Sequence, residues 1–375
     1  MRVSKSEVVY ESLKVRINSG EFNTSLRLPS EQSLSMYYGC SRPTLRKALD
    51  MLENDKMIIR KQGSGSFLLS EGLDANHVSE IPERRRGMFG VLFPSLGENY
   101  VFDIIRGDLS RALSQRECSL VTAGVIVPGS ATLREDIRRI CAAYIDLRVD
   151  GVFLVPIEYT PLREELNQYM LDTFARANIP VVLIDSDYLP FPQRSSYDLV
   201  SLDHIQAGYL LTQHMIEQSA RTIHFLSPPL SAHTIKMREI GYREALYDAD
   251  IPVRSERVHE CDPKNNKSIA SILAFEPQGI ICANDGTAIL LLETMREIDS
   301  GSTSRVMVAG FDNLSYLGHI RETLTSISQP TERISNEAVS MMLERCSKPH
   351  RPCRTVRISG QLICRKSTVV SLDTR

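Results

Sequence analysis

Ser41-Arg42-Pro43-Thr44-Leu45-Arg46-Lys47-Ala48-Leu49-Asp50-Met51-Leu52 is the stretch whose reading decides the first part of the chain. Ser41 supplies an N-cap, Pro43 fits the first turn, and Leu45, Leu49 and Leu52 recur at helical spacing. Just before it, Leu28-Pro29-Ser30-Glu31-Gln32-Ser33-Leu34 starts a shorter helix. Ser30 caps that helix, Glu31 sits where the helix dipole favours a negative charge, and Gly39 halts it. An earlier helix is expected from Ser4 to Ile17 on Val8, Val9, Leu13 and Ile17, with Gly20 as its stop. Helix, glycine turn and helix make a helix-turn-helix, whose last helix meets base edges in a major groove with its N-terminal end. Arg42, Thr44, Arg46 and Lys47 occupy that end, and an arginine fork can bond O6 and N7 of guanine together. Met57–Lys61 and Ser66–Leu69 then read as two short strands joined by Gln62-Gly63-Ser64-Gly65, a hairpin whose glycine tip can approach a sugar-phosphate backbone. Gly63 and Gly65 do not open a dinucleotide-binding loop, since no third glycine and no helix follow them.

Gly20, Leu28-Pro29-Ser30-Glu31, Cys40 to Leu49 and Gln62 to Phe67 together resemble the GntR winged helix, with its spacing intact over residues 4–69. The resemblance implies DNA contacts from Lys5, Glu31, Arg42, Thr44, Arg46, Gln62 and the wing glycines Gly63 and Gly65. Glu31 keeps two roles open, capping its own helix or touching a base. Asp55-Lys56 departs from the pattern, standing where such heads often have a glycine before the wing; a charged pair is still able to make that turn.

The 375 residues are enough for two or three domains. With 42% apolar and 24% charged residues, the composition excludes a disordered, fibrous or disulfide-stapled chain. No run approaches the ~20 apolar residues that span a bilayer, and Met1 to Glu7 has no signal-peptide pattern, so a cytoplasmic protein without a membrane partner is expected. The eight cysteines form no Cys-x-x-Cys pair, and no metal or cofactor motif appears. Charge is uneven. Residues 1–70 hold eleven Lys/Arg against seven Asp/Glu, whereas the remainder is acidic. A basic head on an acidic body is consistent with nucleic acid at one end.

Residues 71–86, ending in Pro82-Glu83-Arg84-Arg85-Arg86, read as a linker. Beyond them, strand-like runs at 88–93, 119–125, 151–155, 180–184, 222–226, 279–282 and 306–311 alternate with helical stretches near 101–116, 132–148, 162–178, 205–218, 233–248, 266–275 and 286–299. That rhythm predicts two α/β lobes with parallel sheets and a cleft at the carboxyl ends of their strands.

Within this body stand, in order, Gly90-Val91-Leu92-Phe93-Pro94, Ile179 to Asp185, and Met237 to Leu246. Cys282-Ala283-Asn284-Asp285-Gly286-Thr287-Ala288, Val308 to Asn313 and Leu324 to Pro330 follow. Together they resemble the effector domain of the lactose-repressor (LacI) family, itself similar to periplasmic sugar-binding proteins. A GntR head on a LacI-like body is the layout of arabinose-responsive repressors. The whole is expected to be α/β: a winged helix-turn-helix at 1–70, a linker at 71–86, and a two-lobed effector and dimerisation domain at 87–375. Lobe 1 would hold about 87–186 and 330–358, and lobe 2 about 187–328 and 360–375. The resemblance implies crossings between lobes near 186–200, 328–331 and 358–361, and ligand contacts from Tyr100, Asp185, Arg238, Asn284, Asp312 and Gln329.

Carboxylates, amides and an arginine suit the hydroxyls of a sugar. A buried Arg238 needs either a ligand or Asp partners. Asp185 has a second possible role in closing a strand end, and Asp285 is expected to N-cap the helix after 279–282. The chain has no Trp, and Cys261-Asp262-Pro263 falls where an aromatic to stack on a sugar is expected. The function expected is a repressor of carbohydrate genes: a homodimer on palindromic operator DNA, switched by a small molecule. The competing readings are a metabolic enzyme with a DNA-binding head and a regulator sensing a non-sugar ligand such as a purine. A transport protein would need export and has no use for the winged helix.

Overall fold

The computed structural model describes residues 5–18, 40–55, 57–61, 65–68, 87–95, 101–299, 301–313 and 324–368, with positions 28, 31, 34, 35 and 38. It divides into two compact units, Met1–Arg85 and Arg86–Arg375. Among the described residues no helix is long and apolar enough to cross a membrane.

In the first unit, helices α1 (Lys5–Asn18) and α2 (Arg42–Asn54) pack beside an antiparallel hairpin of β1 (Ile58–Lys61) and β2 (Gly65–Leu68). Leu13, Leu45, Leu49 and Leu52, spaced by turns of their helices, meet Leu28, Leu34 and Ile58 in one apolar core. Ser41 caps α2 as expected, its hydroxyl accepting from the Thr44 amide. The expected short helix is described only at Glu31, Leu34 and Ser35. Asp55 makes its turn at φ −75°, so no glycine is required, and its carboxylate binds Lys14 and the Tyr10 hydroxyl of α1.

The second unit has two six-stranded sheets. The first runs β4 (Ser119–Val121), β3 (Met88–Leu92), β5 (Gly151–Leu154), β6 (Val181–Ile184), β7 (Asp198–Leu202) and β13 (Thr355–Ile358), all parallel. Helices α3 (Val101–Ser114) and α10 (Thr331–Ser347) cover one face, α4 (Leu133–Asp146) and α5 (Arg163–Arg176) the other. The second runs β9 (Val258–Glu260), β8 (Ile223–Ser227), β10 (Gly279–Cys282), β11 (Met307–Asp312), β12 (Thr325–Ser328) and β14 (Gln361–Ile363), with only β14 antiparallel. Its faces carry α6 (His204–Glu217) with α7 (His233–Asp248), and α8 (Asn266–Leu273) with α9 (Asp285–Ile298).

The chain crosses between sheets three times. Two crossings, at 328–331 and 358–361, fall where expected; the first does not. Residues 198–202 form β7 in the first sheet, so that crossing comes at Leu202–His204 and lobe 1 extends past 186. The strand escapes a reading by hydrophobicity because it opens with Asp198, which is fully buried. Arg345 Nε donates to that carboxylate over 2.9 Å and Arg351 Nη2 over 2.7 Å, and the Arg354 amide adds a third bond. Burial pushes Asp198 up, but these donors outweigh it and hold the carboxyl below its ordinary range.

Helices α6 and α7 touch backbone to backbone. A Cβ on Gly208 would lie 2.0 Å from the Arg238 carbonyl oxygen, and one on Gly241 would lie 1.9 Å from that of Ile205. Overpacking of this kind costs ~1–3 kcal/mol or more. Gly241→Ala is therefore expected to lower the melting temperature by several degrees. Gly107→Ala on α3, where nothing lies within 4 Å, should leave it unchanged or raise it, as thermal unfolding of the two variants will show.

Candidate functional site

Two surfaces carry the residues singled out from the sequence. On the first unit, Arg42, Arg46 and Lys47 are exposed along α2. Arg46 Nε donates to Glu31 Oε2 over 2.9 Å. Glu31 thus has a role that neither sequence alternative contained: its carboxylate steadies an arginine of α2. An exposed pair adds little stability, but it restricts the rotamers open to Arg46. Thr44 shares a hydrogen bond with the Ser41 hydroxyl. Lys5 opens α1 and Gly65 opens β2 opposite Lys61. The Lys5 side chain, Gln62 and Gly63 lie outside the described residues.

On the second unit a cleft opens where the strand ends of both sheets face each other. Each sheet reverses strand order there, the place where open α/β sheets bind ligands. Asp185, Arg238, Asn284, Asp312 and Gln329 all line it, whereas Tyr100 lies outside the described residues. Arg238 is 3% exposed. Its Nε donates to His204 Nδ1 over 3.2 Å and its Nη1 to the Ala283 carbonyl over 2.5 Å. Its Nη2 stands 3.6 Å from Asp312 Oδ1, and the guanidinium lies over the Phe311 ring at 4.4 Å. The Asp partner required by a buried arginine is present.

Gln329 Nε2 donates to Asp312 Oδ1 over 2.7 Å, while the buried Gln329 Oε1 accepts no hydrogen bond. His204 accepts at Nδ1, which puts its ring proton on Nε2, 3.3 Å from Asp185 Oδ1. The two aspartates differ. Burial pushes the Asp312 carboxyl up despite Arg238 beside it. Burial also raises Asp185, but the His204 ring N–H beside it, with the Arg238 guanidinium beyond, outweighs that and holds the carboxyl low.

One expectation is corrected. The N-cap of α9 is Asn284, whose Oδ1 accepts from the Thr287 amide over 2.8 Å; Asp285 instead accepts from the Ser326 hydroxyl. Asn284 therefore offers the cleft its amide nitrogen. Among the described residues Cys261-Asp262-Pro263 take no part in the lining, and the aromatic walls are Phe102 and Tyr159. The sequence reading missed His204, Tyr159 and Glu158. The only signal for them was position: Glu158 and Tyr159 follow β5, and His204 follows β7. Among the described residues no group of three or more His, Cys, Asp or Glu is placed to hold a metal.

Comparison with known proteins bears on both units. Residues 5–68 match the family of bacterial regulatory proteins called gntR, and residues 212–368 match a periplasmic binding protein-like domain. Over 381 aligned residues, 99% of this chain and 96% of the relative, the sequence is 26% identical to an arabinose metabolism transcriptional repressor of Halalkalibacterium halodurans. It is 30% identical over 228 residues to the repressor PurR of Photorhabdus laumondii, covering 59% of this chain and 64% of that one. Among solved structures, a complex of the regulator CelR with cellobiose superposes with a TM-score of 0.63 at 19% identity, over 91% of this chain and 100% of that one. A LacI family regulator of Enterococcus faecium with bound ribose gives 0.59 at 20%, over 76% and 99%. Fold and matches define an effector-binding transcriptional regulator. Its head matches the gntR family over residues 5–68, and its body matches a periplasmic binding protein-like domain over residues 212–368 and shares the fold of LacI family regulators.

With Arg46 steadied at the open end of α2, Arg46→Ala is expected to cost ~1–3 kcal/mol per half-site and to relax base preference. Titration against operator variants checks this, and unchanged selectivity would exclude Arg46 from base reading.

Proposed function

We propose that the chain is a homodimeric repressor of carbohydrate-utilisation genes, acting on a palindromic operator in the cytoplasm, whose DNA binding is changed by a small sugar held in the cleft. The chemistry of the cleft carries this reading. Arg238 makes two hydrogen bonds inside its own lobe and has its charge matched by Asp312, which leaves the rest of its fork for the oxygens of a neutral ligand rather than for a phosphate. What it offers a ligand is Asp185 and the unpaired Gln329 Oε1, acceptors that want hydroxyl donors. Phe102 and Tyr159 supply apolar walls. The arabinose repressor named above, aligned along almost the whole chain, favours a pentose.

A cleft ligand acts on DNA binding only if it prefers one lobe arrangement over another. Closure around a sugar has that property, since contacts from both lobes form together only then. A regulator of this kind leaves its ligand chemically unchanged, unlike the enzyme of the competing reading.

Calorimetry of the full chain against arabinose, ribose, cellobiose and purine bases tests the proposal. A pentose is expected to bind, to change operator affinity and to be recovered intact. Binding by purines alone, or turnover, would replace the reading. Arg238→Ala and Asp312→Ala are expected to bind operator normally and to respond no longer to the sugar, and normal release in both would remove them from the switch. Sedimentation of the full chain at micromolar concentration should give a dimer.

A further inference from the structure

Glu158 follows β5 in lobe 1 and is 5% exposed, yet its contacts reach lobe 2. Its Oε1 lies 3.4 Å from the backbone nitrogen of His233, the first residue of α7. The preceding residue, Ala232, has no side chain able to cap this 16-residue helix. An N–H left open at a helix start is thus met by a carboxylate from the opposite lobe, where the helix dipole favours it. Arg163, at the start of α5, reaches the same strip, with Nη1 3.5 Å from the Ser231 carbonyl and 3.5 Å from Glu158 Oε2. That Oε2 is buried, accepts no hydrogen bond, and belongs to a residue lining the cleft.

We propose that Glu158 couples the effector to lobe closure: one carboxyl oxygen caps α7 across the cleft, and the other binds an effector hydroxyl. The proposal rests on the effector reading of the cleft. It makes Glu158 a specificity-determining residue of lobe 1, because its two contacts coexist only when the lobes are together. The charged and titratable groups around it are Arg163 from α5, its neighbour Tyr159, Asp185 at the end of β6, and His233 at the start of α7.

Burial pushes the Glu158 carboxyl up to about 7 against the pull of Arg163, from an ordinary value of 4.5. The sign follows. A carboxyl returned to water on opening regains its ordinary value, so closure takes up a proton near neutrality; the protonated group still meets the His233 N–H with its carbonyl oxygen, and closure is favoured at low pH and loses ground as pH rises through 7. Sugar affinity should therefore fall between pH 6 and pH 8.

Two measurements on the full chain decide the matter. The first is calorimetry with arabinose and ribose, together with their single-deoxy analogues, at pH 6 and pH 8. The wild type is expected to weaken with pH, whereas Glu158→Gln should give a flat profile and discriminate less against one deoxy position. Wild-type affinity, pH slope and selectivity in Glu158→Gln would overturn the proposal. The second is hydrogen exchange of the α7 first turn without sugar. Glu158→Ala should speed exchange at His233 and the following amides while leaving α8 unchanged, and unaltered protection there would also overturn it. If neither sugar binds the wild type, the effector reading fails, and the exchange result still decides whether Glu158 joins the lobes.

Discussion

A guanidinium taken out of water must be surrounded by acceptors, and much of the second unit follows from meeting that demand at Arg238. Burying such a charge costs several kcal/mol unless partners are supplied. Here they come from separate parts of the chain: His204 at the start of α6, the Ala283 carbonyl after β10, and Asp312 at the end of β11. These partners have to converge on one point, which requires α6 and α7 to lie closer than side chains allow. Gly208 and Gly241 make that approach possible. The packing of two helices and the electrostatics of the cleft are therefore one constraint.

The same convergence explains backbone that is otherwise costly. Asp185 has φ 71°, Asp312 has φ 102° and Asn313 has φ 49°. Each non-glycine residue in this region carries a penalty of order 1–3 kcal/mol and persists where its surroundings over-determine it. Both aspartates sit at strand ends, and both contribute to the cleft lining. Tyr159, also in the lining, shares this conformation at φ 59°, while among the described residues seven further non-glycine residues adopt it in turns away from the cleft.

Much of this was legible in the sequence, for a physical reason. Helix periodicity, caps and the Gly-rich hairpin are local signals, so α2, the wing strands and seven alternating strand–helix units of the body could be read directly. The GntR and LacI-like resemblances then pointed to five residues that do line one cleft. What escaped were pairings that join residues far apart in the chain. β7 begins with an aspartate whose neutralising arginines come some 150 residues later. Glu31 meets Arg46 across 15 residues, and Glu158 meets His233 across 75. Asn284 and Asp285 are both good caps, and only Ser326, 41 residues on, decides which does which. Spacing cannot report such contacts.

The position of β13 has a consequence for how the molecule is made. The first sheet is not complete until residues 355–358 add to β7, and they follow the whole of the second sheet except β14. On the ribosome, at ~5–20 residues per second, Asp198 emerges about 7–30 seconds before Arg345 and Arg351 are available. During that interval β7 lacks both its edge partner and the cations that make its first residue tolerable inside. Lobe 1, although first in the sequence, cannot mature first; the nascent chain must finish most of lobe 2 while β7's outer edge is uncovered. A ribosome stalled before residue 345 would thus leave an open strand edge, the kind of surface that chaperones bind and neighbouring chains pair with.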